Sequence, residues 1–141
     1  MSLRNLKMDE QAELDGVWFT FNKSGANFRL RLAHMGEANK AWKTALRNIS
    51  KKWGTPDGEI RPAEEIAEQR VAFVKHVLKG WEGVDDWRLE DEDEEPVMLP
   101  YTKDNAIALL ETFEEVWAEA LAFAQERDNY RLVRRVQAGK N

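Results

Sequence analysis

The side chains with the widest catalytic and metal-binding repertoire are few in this chain, and their spacing does not suit joint work. There are two histidines, His34 and His76, and no cysteine. The histidines fall in different predicted elements and form neither an HxxxH nor an HExxH spacing, the patterns that set two imidazoles on one helix face around a metal. Without cysteine there is no thiolate nucleophile, no disulfide framework and no Cys-based metal site. No GxxxxGK[ST] or GxGxxG loop is present to cradle phosphate, and no GxSxG elbow to present a serine. Carboxylates are abundant, but general acid–base catalysis needs them held in a pocket with their pKa values pushed apart. Here they crowd together. Between Glu82 and Glu95 nine acids stand against the single base Arg88, a local charge of −8, which leaves +3 for the rest of a chain whose net charge is −5. Mutual repulsion predicts an acidic flexible loop over 82–99. The sharper alternative is a loop that docks on a basic partner surface or discourages nucleic-acid contact. The expectation is a protein that is not an enzyme and that needs no cofactor and no metal.

The surrounding elements are read from periodicity. A chain of 141 residues with 43% hydrophobic side chains and six tryptophans can bury a real core, and one domain over 1–141 is expected. Val17, Phe19 and Phe21 alternate with Trp18 and Thr20; Phe28, Leu30 and Leu32 alternate with Arg29 and Arg31. Period two on both sides of Asn22-Lys23-Ser24-Gly25 predicts a β-hairpin over 17–32. A hairpin alone is barely stable in water, so it must pack on helices or pair its edges. From 38 to 53 the apolar residues fall at helical spacing, with Lys40, Lys43, Arg47, Lys51 and Lys52 elsewhere, and Gly54-Thr55-Pro56 ends the run. A second helix is predicted from Pro62 to a stop at Gly80. Thr102 is placed to cap a helix from Lys103. Thr112-Phe113-Glu114-Glu115 has the form of a capping box, so a kink or restart is expected near 111–112. A last short helix is expected from Asp128 to about Gln137, and a disordered tail over 138–141. The fold class expected is mainly α with a minor β component: four to five helices with an N-terminal β-hairpin. No apolar run approaches the roughly 20 residues that cross a bilayer, and Met1–Lys7 lacks a signal-peptide apolar stretch, so a soluble cytoplasmic protein with no membrane contact is expected.

Surface aromatics and bases supply the candidate interaction residues. Trp42 and Trp117 sit on apolar stripes and are expected in the core. Trp18 faces away from the hairpin's apolar side, beside Arg29 and Arg31, and Trp87 lies within the acidic run. An aromatic without a core position often anchors an interface. Trp81, directly after the predicted helix stop, is expected to cap the core. Basic residues on helix 38–53 and beyond Arg127 could meet phosphates, but the acidic balance and the absence of a DNA-binding motif make a nucleic-acid partner unexpected. One basic element could equally pair with the acidic loop of a neighbouring copy.

Four features, in order, carry a resemblance to a family. Trp18-Phe19-Thr20-Phe21 leads to Phe28-Arg29-Leu30-Arg31-Leu32-Ala33. Ala33-His34-Met35-Gly36 enters a basic helix. Gly80-Trp81-Glu82-Gly83-Val84 follows the middle helix. Pro100-Tyr101-Thr102 opens Asn105-Ala106-Ile107-Ala108-Leu109-Leu110, with Asn129-Tyr130 further on. Over roughly 15–131 the chain resembles the tail assembly chaperones of long-tailed, non-contractile bacteriophages and prophages; the acidic extension replaces the short Asp/Gly turn common there. The resemblance implies a protein that binds the tape measure protein and holds it soluble until tail tube protein polymerises around it. It implies self-association. The candidate interaction residues of the chain are Trp18, Arg29, Arg31, Trp81, Trp87 and Tyr101. The alternatives are a head–tail connector or neck subunit and a nucleic-acid-binding regulator.

Overall fold

The computed structural model describes residues 2–89 and 95–132. A 3-10 turn at Leu3–Leu6 precedes helix α1 (Glu10–Asp15), strands β1 (Val17–Lys23) and β2 (Ala26–Leu32), helices α2 (Lys40–Trp53) and α3 (Ala63–His76), strand β3 (Leu78–Glu82), and helices α4 (Lys103–Thr112) and α5 (Glu114–Gln125). A second 3-10 turn, Arg127–Tyr130, follows. None of the described helices is long and apolar enough to cross a membrane.

The hairpin forms where its alternation places it. Ser24 (φ 53°) and Gly25 (φ 83°) are both left-handed, the geometry a two-residue turn needs to match strand twist. The register pairs Phe21 with Phe28, Phe19 with Leu30, and Trp18 with Arg31. One face is therefore apolar, and the other carries Trp18, Thr20, Arg29 and Arg31.

The fold class departs from the expectation of a mainly α protein with an N-terminal hairpin. The architecture is mixed α+β, with a three-stranded antiparallel sheet in the order β1-β2-β3 whose third strand comes from mid-chain. The predicted helix stop at Gly80 is part of this difference. α3 closes at His76, with Val77 N donating to Phe73 O, and Gly80 lies within β3 opposite Arg31. The reason is twofold. Phe73, Val74, Val77 and Leu78 continue a helical stripe, so periodicity carries the helix too far. β3 also breaks period two: Leu78 pairs with Leu32 and Trp81 with Leu30, and a register shift lets both face inward despite their odd spacing. The gain is that the second edge of β2 is paired rather than left open.

Helix boundaries follow local chemistry. The Asn39 side chain accepts from Trp42 N to start α2, and Gly54 (φ 62°) ends it. Thr102 Oγ1 accepts from Asn105 N at 3.1 Å, as expected. The break between α4 and α5 falls at Phe113 (φ −117°, ψ 91°), without a side-chain cap to α5, so the predicted capping box does not form. The expected helix over 128–137 begins instead as a 3-10 turn, and Arg131 bridges to Met8. Residues 133–137 and the tail 138–141 lie outside the described residues.

The core lies between the apolar sheet face and the helices. Phe73 is its centre, fully buried and edge-on to both Trp42 (6.2 Å between ring centroids) and Trp117 (5.0 Å). Leu30, Leu32, Val77, Leu78, Leu110 and Ala120 close around it.

A candidate protein-interaction cleft

The six candidate residues resolve into three places. Trp18, Arg29 and Arg31 stay together on the outer sheet face. The Arg29 guanidinium lies 4.6 Å over the Trp18 ring and is ion-paired to Glu82. Arg29 and Trp18 occupy each other in part: cation–π contact at an exposed site is worth about 0.5–1 kcal/mol, and Trp18 is left 37% exposed.

Trp81 and Tyr101 form a second group. Their rings meet edge-on at 5.1 Å. Trp81 Nε1 donates to Leu99 O (2.9 Å), and Tyr101 Oη donates to Leu78 O (2.8 Å). Burial pushes the Tyr101 phenol above its ordinary pKa. Each ring thus crosses from β3 to the segment before α4, so the pair fastens the chain on either side of the acidic stretch.

Trp87 is the third. It packs edge-on against Phe113 at 5.3 Å, with Arg88 over its ring at 5.5 Å. The described ends of the stretch 82–99 pair with each other: Asp85 bridges Met98, Asp86 N donates to Val97 O, and Leu99 N donates to Val84 O. Arg88 bonds to Asp86 through side chain and backbone, which holds the Asp86 carboxyl below its ordinary pKa. This arrangement is begun by Gly83, whose φ of +79° turns the chain so that Val84 is buried.

Between these parts lies an apolar cleft of about 280 Å³. Its floor is the stacked pair Phe21–Phe28 (5.0 Å) with Val84, Leu109 and Val116. Trp87 and Phe113 form a wall, and Lys23, Asp85 and Glu115 stand at the mouth. Leu89, Val97 and Met98 are exposed on the paired segment beside it, and Phe113 is 38% exposed. Of this site only Trp87 was singled out by sequence. Phe113 falls in the expected capping box and Val84 in the expected loop; Gly83-Val84, a glycine before an apolar residue at the head of the acidic run, is the available signal.

The two histidines are placed apart. His34 is buried, with Nδ1 3.1 Å from Glu13 Oε2, and its ring stacks on Tyr130 at 4.5 Å. A Cβ on Gly36 would approach His34 Cε1 to 2.5 Å, so that glycine allows the close packing. Tyr130 Oη donates to Leu32 O (2.9 Å), and burial together with the Glu13 carboxylate raises its phenol pKa. The cluster fastens α1 and the Arg127–Tyr130 turn to the end of β2. His76 sits in the last turn of α3, where burial and then Lys75, Lys79 and Lys103 lower its pKa. Asn39, which sequence did not single out, links the two segments: Nδ2 donates to both His34 O and His76 O. Among the described residues no group of three or more metal-ligating side chains comes together.

Comparison with curated proteins and with solved structures finds no match. A family model described as the YdaY prophage protein matches residues 31–141, from within β2 through all the later described elements. With well over half of its length inside that match, the chain belongs to the YdaY prophage protein family.

Proposed function

We propose that this prophage protein is a tail assembly chaperone that binds the tape measure protein and keeps it soluble until tail tube protein polymerises around it. The observation that supports this reading best is the open apolar cleft, walled by Trp87 and Phe113 and bordered by exposed Leu89, Val97 and Met98. Exposed apolar side chains gathered beside an apolar cleft are one mark of a surface that holds another chain. The ordered resemblance to tail chaperones and the prophage family point the same way. The action is passive: a client with exposed apolar side chains is covered, then surrendered to the polymerising tube. Self-association or several copies along one long client would raise avidity without tight individual contacts.

The test is co-expression with the tape measure protein of the same prophage. Soluble yield of the client rises and the two co-purify. An unchanged yield with no co-purification overturns the proposal. Purified virions discriminate it from a connector or neck subunit, because a chaperone is absent from the finished particle.

A further inference from the structure

We infer that the cleft takes one apolar anchor side chain from an amphipathic helix whose stripe is flanked by lysine or arginine. The size of the cleft favours a side chain over a small molecule. At about 280 Å³ the cleft is at the small end for a ligand pocket, it is open to solvent, and most of its lining is apolar. Its mouth sets the charge of the partner. Lys23 is held by Glu119 at 3.1 Å, whereas Asp85 and Glu115 make no ion pair among the described residues. An apolar side chain entering here brings its neighbours on the same helix against two unneutralised carboxylates, which reject acids and attract bases.

The Val84–Asp86 rim has no ladder to offer an added strand, because Val84 O and Asp86 N are already bonded to Leu99 N and Val97 O. Among the described residues the outer edge of β1 is unpaired in the sheet, so a bound peptide without helical circular dichroism would identify strand addition there and overturn the inference. Exposed Leu89, Val97 and Met98 extend the apolar surface beyond the cleft, as a groove that receives the apolar face of a helix requires. The inference rests on the chaperone reading for the identity of the client, and it adds the site and the charge of the segment recognised.

The experiment uses the full chain and a fluorescein-labelled peptide of about 18 residues, long enough to hold a helix, with a leucine stripe flanked by lysines. A twin carries glutamate in place of every lysine. Anisotropy is expected to show the lysine peptide binding at least about tenfold more tightly than its twin, with the preference shrinking as salt is raised. Ala26→Trp, which fills the cleft from an exposed strand position, abolishes binding of both. The Asp85→Lys/Glu115→Lys double variant reverses the preference between them. Equal affinity for the twins, or binding unaffected by both variants, overturns the inference. Two other occupants would also overturn it. A concentration-dependent dimer dispersed by Ala26→Trp identifies a second copy. A rise in peptide affinity of about tenfold on Val133→Asp/Val136→Asp identifies the chain's own C-terminal segment. The chaperone reading is judged separately. If wild type solubilises the tape measure protein and Ala26→Trp does so equally well, that reading stands and the cleft assignment falls. If wild type fails to solubilise it, the chaperone reading falls whatever the peptides do.

Discussion

Asn39 gives the sharpest quantitative test of how the molecule is held together, because one buried amide serves three elements. It is 5% exposed. Oδ1 accepts from Trp42 N at 3.2 Å and caps α2; Nδ2 donates to His34 O at 3.2 Å, just beyond β2, and to His76 O at 3.0 Å, at the end of α3. The cap is worth about 1 kcal/mol, and each bond to a carbonyl about 1 kcal/mol. Asn39→Ala should therefore cost about 3 kcal/mol, a large share of a typical stability of about 5–15 kcal/mol. Asn39→Ser keeps an acceptor for Trp42 N and loses both donors, so about 2 kcal/mol is expected. Asn39→Asp separates the two roles. It also keeps the cap, and its charge suits a helix N-terminus, but it sets a carboxylate oxygen against two carbonyl oxygens with no proton between them. It should lose at least as much as serine despite being the closest match in size. Urea unfolding followed by tryptophan fluorescence, compared at constant m-value, ranks the variants. Wild-type stability in Asn39→Asp would refute the assignment of the amide donors. Equal losses in Asn39→Ser and Asn39→Ala would refute the cap.

Three further outcomes are expected. Gly83→Ala should destabilise by about 1–2 kcal/mol, the cost of a side chain in the left-handed region, even though the nearest atom to its Cβ would be Asn27 O at an ordinary 3.5 Å; a neutral result in urea unfolding would reject the turn that buries Val84. His76 is held below its ordinary value of 6.5 by burial and then by Lys75, Lys79 and Lys103. The unfolded chain therefore takes up that proton more readily, and Tm should climb with pH up to the unfolded value and level off above it. His76→Gln should flatten that segment, and an unchanged slope would dismiss it. Burial raises the Glu65 carboxyl, but bonds from the Thr55 hydroxyl and Arg61 outweigh it, and Lys52 and Trp53 lower Glu68 in the same way. Their contribution is complete above the ordinary carboxylate value of 4.5 and disappears as pH falls through the depressed values. Glu65→Gln should thus make acid unfolding less steep, and an acid profile identical to that of wild type would exclude Glu65 as a contributor.

Where the sequence was legible, side-chain period and backbone agreed. The hairpin register follows from strict alternation around Ser24-Gly25, and Trp42 and Trp117 are buried because their stripes place them there. β3 escaped because a bulge brings Leu78 and Trp81 to one face at an odd spacing, and because the stripe of α3 runs directly into it. Asn39 escaped because its importance lies in two carbonyls, His34 O and His76 O, which no pattern of side-chain types records. That Trp81 and Tyr101 stand at the two ends of the acidic stretch is legible in the sequence; that their rings meet is not, because it depends on β3.

The break at Phe113 and the turn at Gly83 together create the cleft. In one continuous helix across α4 and α5, Phe113 would share the face of Val116 and Trp117, three and four residues on, and would be buried with them. The break at Phe113 turns it outward while Val116 and Trp117 stay inside, so a core aromatic becomes a wall. On the opposite side, the end of β3 and the left-handed Gly83 bring Val84 under the hairpin and leave Trp87 standing against that wall. Both junctions leave apolar surface exposed, with the carboxylates Asp85 and Glu115 beside it. That surface has a shape and a charged rim, and what it can do chemically is exclude water from another protein's side chain. This is the physical ground for reading the cleft as a place to hold a polypeptide.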